Sequence, residues 1–457
     1  MDIKNLIMFS ITNMSLLANL NQELKGFFQT SLRFSWDWNL RRLKSLTIYY
    51  LFNLSFILFL FLFLESCLST KKILAPDSNF QHFVDLTKIY FPNLPKGIQK
   101  ALFFFANPDK RIDWMALTKS KYGNSNLHFF LNNGKFTQIT RTGFDRPLKV
   151  KELYISPGDL TRDRAEDLLL IANTGSGNRA TIFINNKKGY FYRSLKKKFP
   201  KINPSMNRGM LVDLDYDGDL DILFMRTNNK RAKTLNSVQF FVNNAKKGFV
   251  DRTSLLFPKI THNISNVSIA DYDGDNVFDV FFLNPNGENT LWINNGLGKF
   301  KDVSSYSLPN IPGNYVFADW ADFDQDGDND LLVAAIGFTK RHSRFANEYN
   351  FFLENDGKGH FTKRSLKILP RYPSTRVYLL DADGNNIPDI IVISKKGVHL
   401  LIGHGGWKFS DETLRRFPNN ATFDEMSFGD VDGDGYLDIF GVDFKSGIGN
   451  LWVSRFK

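Results

Sequence analysis

Short apolar runs, repeated many times, organise the chain from residue 80 onward. Met210-Leu211-Val212, Val267-Ser268-Ile269 and Arg376-Val377-Tyr378-Leu379-Leu380 each lead into an acidic stretch. Leu168-Leu169-Leu170-Ile171, Ile222-Leu223-Phe224, Val280-Phe281-Phe282-Leu283 and Ile390-Ile391-Val392-Ile393 each come directly after one. Runs this short, rich in β-formers and bounded by Gly, Asn and Asp, predict strands and not helices. The acidic stretch between two runs is then a hairpin loop.

That loop is a nonapeptide. It reads DLTRDRAED from 159, DLDYDGDLD from 213, DYDGDNVFD from 271, DFDQDGDND from 322, DADGNNIPD from 381 and DVDGDGYLD from 430. Starts are separated by 54, 58, 51, 59 and 49 residues, slightly above the usual propeller period. A second element comes after each loop: FFLNNGKF (129–136), IFINNKKGYF (182–191), FFVNNAKKGF (240–249), LWINNGLGKF (291–300), FFLENDGKGHF (351–361) and LLIGHGGWKF (400–409). Each is an apolar strand, a turn whose Asn and Gly tolerate positive φ, and an aromatic that opens another strand. A tail such as Phe249-Val250-Asp251-Arg252-Thr253 or Phe300-Lys301-Asp302-Val303-Ser304 completes the unit, commonly before a proline turn such as Phe257-Pro258.

Each unit therefore predicts four antiparallel strands. Phe105-Ala106-Asn107-Pro108-Asp109-Lys110-Arg111-Ile112-Asp113 aligns as a seventh loop, 54 residues before Asp159. The last unit stops at its third strand, Asn450–Lys457, and the missing fourth element stands at the front as Phe83-Val84-Asp85-Leu86-Thr87-Lys88-Ile89-Tyr90-Phe91-Pro92. An N-terminal strand completing the C-terminal blade closes a ring and removes an exposed edge. The expected architecture is an all-β, seven-bladed propeller of four-stranded antiparallel blades over 80–457. A linear hairpin array, which would leave both ends unpaired, is the weaker alternative.

Carboxylates packed this closely repel unless a cation sits among them. Hard oxygen ligands in a turn suit Ca²⁺. The candidate ligands occupy positions 1, 3, 5 and 9. They are Asp213, Asp215, Asp217 and Asp221; Asp271, Asp273, Asp275 and Asp279; Asp322, Asp324, Asp326 and Asp330; Asp381, Asp383, Asn385 and Asp389; and Asp430, Asp432, Asp434 and Asp438. The carbonyl of position 7 (Asp219, Val277, Asp328, Ile387, Tyr436) is a further ligand, and Gly or Asn at position 4 or 6 supplies a left-handed residue. The loops from Asp213, Asp322 and Asp430 read as the strongest, and that from Asp381 as weaker. In the loop with Asp159, Asp163 and Asp167, Thr161 takes position 3 and Arg162 and Arg164 intervene, so metal and no metal are both open there. In the first blade Lys110 and Arg111 stand in for an ion. This amounts to five or six Ca²⁺ sites. The twelfth position is never Glu and the flanks are strands, so a helical EF-hand is rejected.

A D-x-D-x-D-G-x-x-D hairpin repeated in a propeller resembles the FG-GAP and VCBS repeat family, as in the head of integrin α-subunits. Phe428-Gly429-Asp430 is the nearest fragment to the Phe-Gly-Gly-Ala-Pro signature, which favours the VCBS-like branch. The resemblance implies Ca²⁺-stabilised exported propellers used for adhesion or ligand binding, with some polysaccharide-acting enzymes among them.

Export is expected from the N-terminus as well. Residues 46–64 form an apolar run long enough to cross a bilayer, and Arg41, Arg42 and Lys44 before it place everything after residue 64 on the far side. Cys67, the single cysteine, resembles a bacterial lipoprotein attachment site. An uncleaved anchor and simple secretion are the alternatives. The expected layout is a leader over 1–45, a signal or anchor over 46–66, a tether over 67–79 and the propeller over 80–457, anchored at the outer membrane, cell surface or periplasm. One cysteine excludes a disulfide scaffold and a multi-thiolate zinc site.

Lys plus Arg number 58 against 47 Asp plus Glu, a net charge of +11. Six bound Ca²⁺ would add twelve more positive charges. The surface outside the loops is therefore expected to be basic, with clusters such as Lys196-Lys197-Lys198 and Lys340-Arg341, and suited to anionic polymers or acidic headgroups. Nucleic acid is not an expected partner of an exported protein. No H-E-x-x-H, G-x-S-x-G or Walker A motif occurs, and the seven His show no ligand spacing. The leading expectation is a non-catalytic ligand-binding or adhesion module for a protein or an anionic glycan. A lyase acting on acidic polysaccharide through Lys, Tyr or Arg in the central channel, and an envelope scaffold, are the alternatives.

Overall fold

The fully apolar runs form the second strand of every blade because both faces of that strand are covered. Asp221–Met225, Asp279–Leu283 and Asp389–Ser394 are buried along their whole length. In the computed structural model these strands lie inside seven four-stranded antiparallel sheets. The structure describes residues 83–455 apart from 120–124, 145–147, 174, 176, 195–199, 228–235, 245–247, 286–288, 312, 338–348, 395 and 418–421. The apolar run at 46–64, Cys67, the tether and both basic clusters, Lys196-Lys197-Lys198 and Lys340-Arg341, lie outside the described residues. Among the described residues no helix is long and apolar enough to cross a membrane.

Blade one comprises Ile98–Phe104, Asp113–Lys119, Ser125–Asn132 and Phe136–Gln138. Blades two to six begin at Glu152, Arg208, Asn266, Asn314 and Ser374 and repeat the same order. Blade seven comprises Glu425–Gly429, Asp438–Asp443 and Ile448–Ser454, and its fourth strand is β1 (Phe83–Asp85), which pairs Phe83 with Ser454 and Asp85 with Trp452. The closure expected from the two chain ends is therefore the closure observed.

Seven apolar cores fill the seven wedges between neighbouring blades. Trp114 and Phe130 of blade one pack with Phe440 and Val453 of blade seven, so the last wedge is as full as the others. The recurrent Phe residues belong to these wedges. Phe257, at the end of blade three, meets Phe300 of blade four with ring centres 4.7 Å apart. Phe91, shortly after β1, meets Phe136 of blade one at 4.4 Å. Equivalent positions thus make equivalent contacts across the closure.

Between the fourth strand and the proline turn, four of the tails among the described residues make one helical turn that the sequence pattern does not disclose: α1 (Thr87–Tyr90), α2 (Thr253–Leu256), α3 (Ser304–Ser307) and α4 (Thr413–Arg416). The cause is an Asp-x-Thr/Ser step. Asp251 Oδ1 accepts both the amide and the hydroxyl of Thr253, and Asp85, Asp302 and Asp411 do the same for Thr87, Ser304 and Thr413. The hydroxyl oxygen in turn accepts a third-strand amide: Phe240 to Thr253, Leu291 to Ser304, Leu400 to Thr413, and across the closure Leu451 to Thr87. Side-chain bonds of this kind divert backbone from a strand ladder into a turn.

If β1 closes the ring, Phe83→Ala should cost about 3–5 kcal/mol, the usual loss for a fully buried phenylalanine, because Phe83 is wholly buried against Phe417 and the blade six–seven core. Urea unfolding measures it. A loss below about 1 kcal/mol would mean that the ring holds without this strand.

Candidate metal centres

Each acidic nonapeptide joins the first strand of its blade to the second, and its ninth residue opens the second strand. The loop needs left-handed backbone at both position 4 and position 6, and not at one of them. Tyr216 and Gly218, Gly274 and Asn276, Gln325 and Gly327, Gly384 and Asn386, and Gly433 and Gly435 all have φ between 58° and 99°. Arg162 and Arg164 hold the same conformation in blade two, at 58° and 70°. Only Gly adopts this region freely, so the loop accepts strain at Tyr216, Gln325 and the two arginines. Blade one departs, with Pro108 at position 4 and Lys110 alone left-handed.

The first-position carboxylate organises the turn. Asp271 accepts amides from Gly274, Asp275 and Asn276, Asp322 from Gln325, Asp326 and Gly327, and Asp430 from Gly433, Asp434 and Gly435. The third- and ninth-position acids then converge on it. One oxygen from each of Asp213, Asp215 and Asp221 lies within 4.8 Å of the others. The same holds for Asp271, Asp273 and Asp279; Asp322, Asp324 and Asp330; Asp381, Asp383 and Asp389; and Asp430, Asp432 and Asp438. The fifth-position residues stand outside these groups. Asp217, Asp275, Asp326, Asn385 and Asp434 each turn one oxygen to the amide of position 7.

Four oxygens of these grouped aspartates are buried without a hydrogen-bond partner: Asp213 Oδ1, Asp221 Oδ2, Asp273 Oδ1 and Asp324 Oδ1. Buried, unpaired carboxylate oxygen is expensive, and a divalent cation removes that cost. The donor set is all hard oxygen, which fits Ca²⁺. The carboxylates at positions 1, 3 and 9 would hold it, and the bound charge would offset their mutual repulsion.

Donors brought in from outside the loops distinguish the five groups in a way that counting acids does not. Trp407 Nε1 donates to Asp324 at 2.8 Å, Arg416 reaches within 3.9 Å of Asp383, and Arg455 within 3.7 Å of Asp432. The loops from Asp213 and Asp271 have no such donor at position 3 among the described residues. In blade two Asp159, Asp163 and Asp167 form no group. Asp159 is committed to the amides of Asp163 and Arg164, Lys187 lies 3.6 Å from Asp163, and Arg162 crosses to Asp219 of blade three at 3.0 Å. The structure thus brings Lys187 to the acids of this loop and no converging carboxylate group. In blade one, where Phe105 occupies position 1, Asp109 accepts the Arg111 amide and no carboxylate group forms.

The ninth aspartate has a second task that the motif does not disclose. Its Oδ1 accepts the amide at the end of the third strand (Asn132, Asn185, Asn243, Asn294, Asn355, Gly403 and Ser454 in blade order). Its Oδ2 accepts the position-2 amide in six blades, for example Ala106 to Asp113 and Val431 to Asp438. The asparagine side chain then crosses to the preceding blade. Asn132 Nδ2 donates to Val431, Asn185 to Ala106, Asn294 to Leu214 and Asn355 to Tyr272, each at 2.8 Å to a position-2 carbonyl. By sequence these asparagines belong to the turn, for their tolerance of positive φ. In the structure they are buried strand ends, and the signal is their recurrence directly after each apolar run.

Burial pushes the ninth carboxylates far up despite the amides they accept: Asp221 and Asp279 to about 8, Asp113, Asp330, Asp389 and Asp438 to about 7, and Asp167 to about 6. An unfolded aspartate titrates near 3.9. The cation-free fold therefore keeps protons that the unfolded chain has released, and this stability is lost as pH rises through about 6–8. A cation needs the ionised form, so its contribution grows over the same window. In chelator the melting temperature should fall between pH 6 and 8.5, and millimolar Ca²⁺ should restore it chiefly at the upper end. Identical melting curves with and without Ca²⁺ at pH 8.5 would exclude these groups as cation sites. Separately, Asn294→Ala leaves the Leu214 and Phe278 carbonyls without their donor and should cost about 1–3 kcal/mol in urea unfolding.

A family model described as an FG-GAP-like repeat matches residues 213–282, 273–333 and 381–441. These spans begin on loop aspartates and take in the loops of blades three to seven. A solved structure of a lectin from Agrocybe aegerita, described for specific recognition of non-reducing terminal N-acetylglucosamine, is similar at 16% identity with a TM-score of 0.45, over 68% of this chain and 78% of that one. No curated protein matches the chain in sequence. Three matched spans lie inside a closed ring of seven four-stranded blades: the chain is a β-propeller that carries FG-GAP-like repeats.

Proposed function

We propose that the chain is an exported, calcium-stiffened propeller that works as a non-catalytic binding module at a cell surface, held there by its N-terminal segment, with a protein or an anionic glycan as ligand. One observation supports this most: the same three-carboxylate group recurs at the same corner of five blades. A reaction centre needs a particular constellation at one place. A group repeated with the blade period serves the frame. Cations held at five corners stiffen the loops and leave the loops and the axis free to differ, which is the arrangement of a rigid scaffold presenting a binding surface. The basic balance of the whole chain favours an acidic ligand.

The full chain, loaded with Ca²⁺, should be retained on immobilised acidic polysaccharide at low salt and released as salt rises. The recovered polysaccharide should show no new unsaturated ends by ultraviolet absorbance. Appearance of such ends in proportion to protein would replace the binding role with a lyase. Absence of retention on every acidic glycan, together with recovery of a stoichiometric envelope protein, would replace it with a scaffold.

A further inference from the structure

The seven first strands can be aligned on their loops. Five positions before each loop stand Lys100, Tyr154, Arg208, Asn266, Phe317, Arg376 and Glu425, one from each blade. Strand pairing confirms the alignment. Lys100 faces Leu117, Arg208 faces Met225 and Glu425 faces Val442, each four residues past the ninth aspartate, and the other four pair in the same register. These residues lie at the start of strands that run toward the aspartate loops, so they ring the opposite end of the axis. In blades one, five and six a bulge falls just before them, between Ile98 and Lys100, Tyr315 and Phe317, and Ser374 and Arg376. A bulge re-aims the side chain beside it.

The ring converges across the axis. Lys100 Nζ lies 4.8 Å from the centre of the Tyr154 ring, and the Arg208 guanidinium lies 5.9 Å from the same ring. Arg376 lies 6.0 Å from the ring of Phe317. Lys100 senses Glu425, Arg208 and Arg376 together, so residues of blades one, three, six and seven share one field, and burial with the two arginines pushes its ammonium down. Three cations thus face one acid. Among the described residues Glu425 makes no ion pair and no side-chain hydrogen bond with any of them. Arg376 spends one N–H on the Thr375 carbonyl at 2.9 Å and also bonds the Tyr378 hydroxyl, while among the described residues Lys100 and Arg208 rest against the face of Tyr154. All seven side chains are half-buried, so the cluster is partly desolvated yet open to solute. Like charges held this way by a rigid frame repel, and a bound anion reverses the sign of that term. Guanidinium forks match oxyanions bidentately, and an ammonium adds a point charge.

We infer that Lys100, Arg208 and Arg376 form an oxyanion site at the end of the central channel away from the aspartate loops, with Tyr154 and Phe317 holding the cations over their ring faces. The inference rests on the binding-module reading and locates its ligand: a carboxylate, sulfate or phosphate group, either free or carried by an acidic sugar.

The test is titration calorimetry on the full Ca²⁺-loaded chain at low ionic strength, with sodium sulfate, sodium phosphate, glucuronate and a sulfated disaccharide. Saturable binding is expected. Arg208→Gln and Arg376→Gln should each weaken it about tenfold or more, and Glu425→Gln should strengthen it. A sugar bound at least about tenfold more tightly than the inorganic ion assigns the site to a glycan, and equal affinities assign it to the free anion. Both results support the ring. Binding unchanged in the Lys100→Gln, Arg208→Gln, Arg376→Gln triple variant, with its melting temperature intact, overturns it. Equal retention of that variant and the parent chain on acidic polysaccharide would also overturn the ring while leaving the binding-module reading standing. Failure of the parent chain to bind any of these ligands removes the oxyanion site and leaves the binding-module reading to its own retention test.

Discussion

The ring depends on a buried carboxylate that cannot be replaced by an apolar group. Every blade opens its second strand with an aspartate that is wholly or almost wholly buried. That residue ties the acidic loop to the end of the third strand of its own blade. In most blades the third strand ends on an asparagine whose amide group reaches the preceding blade. The two bonds form one chain: loop, aspartate, strand end, asparagine, neighbouring loop. An unpaired buried amide or carbonyl costs more than a made hydrogen bond gains, so the chain specifies the angle between blades as well as holding them. Blades six and seven break the pattern with Gly403 and Ser454 at the asparagine position, and still keep the backbone bond to Asp389 and Asp438.

This staple creates the electrostatic problem that the rest of the loop answers. Burial raises the ninth carboxylate, and two further acids stand beside it. The blades answer differently. Blades three, four and five leave buried carboxylate oxygen unpaired, the arrangement best suited to a cation. Blades six and seven bring an arginine toward the third-position acid, and blade five brings the Trp407 indole. Blade two removes one acid and inserts Arg162, Arg164 and Lys187, while blade one begins its loop with Phe105. The same backbone turn survives in blade two although arginine takes both left-handed positions. The turn is therefore dictated by the staple and the first-position aspartate, and the ion is an addition to it.

Much of this is legible in the chain itself. Blade number, strand order and the closure by Phe83–Asp85 come from the repeat and from the displaced fourth-strand element, because a missing edge partner can only be supplied from the other chain end. The loop aspartates are legible because carboxylates at fixed spacing have few physical uses. The hidden part is pairwise. Nothing in DLDYDGDLD says that its last aspartate accepts two amides, or that Arg416 and Arg455 approach the loops of blades six and seven from elsewhere in the chain. The helical turns at Thr87, Thr253, Ser304 and Thr413 are written in Asp-x-Thr/Ser, but that step competes with a strand ladder and its outcome depends on the third-strand amide that the hydroxyl accepts. Asn132 and its equivalents mislead by position, since an asparagine beside a turn is more often in the turn than under it.

Comparison among the seven blades separates frame from surface within one molecule. The ninth position is aspartate in all seven, since each copy meets the same neighbours in the same geometry. Five residues before the loop the copies read Lys, Tyr, Arg, Asn, Phe, Arg and Glu. Around an axis, seven identical cations would share one small volume, and their repulsion would add over every pair. A mixed set at that height avoids this repulsion, and it also breaks the symmetry that the repeat imposes. The cations stand on blades one, three and six, with neutral Asn266 and Phe317 on blades four and five between the two arginines. A pseudo-symmetric frame thereby acquires a polarised end, and a ligand that met seven equivalent walls would find no preferred orientation, whereas one that meets this ring does.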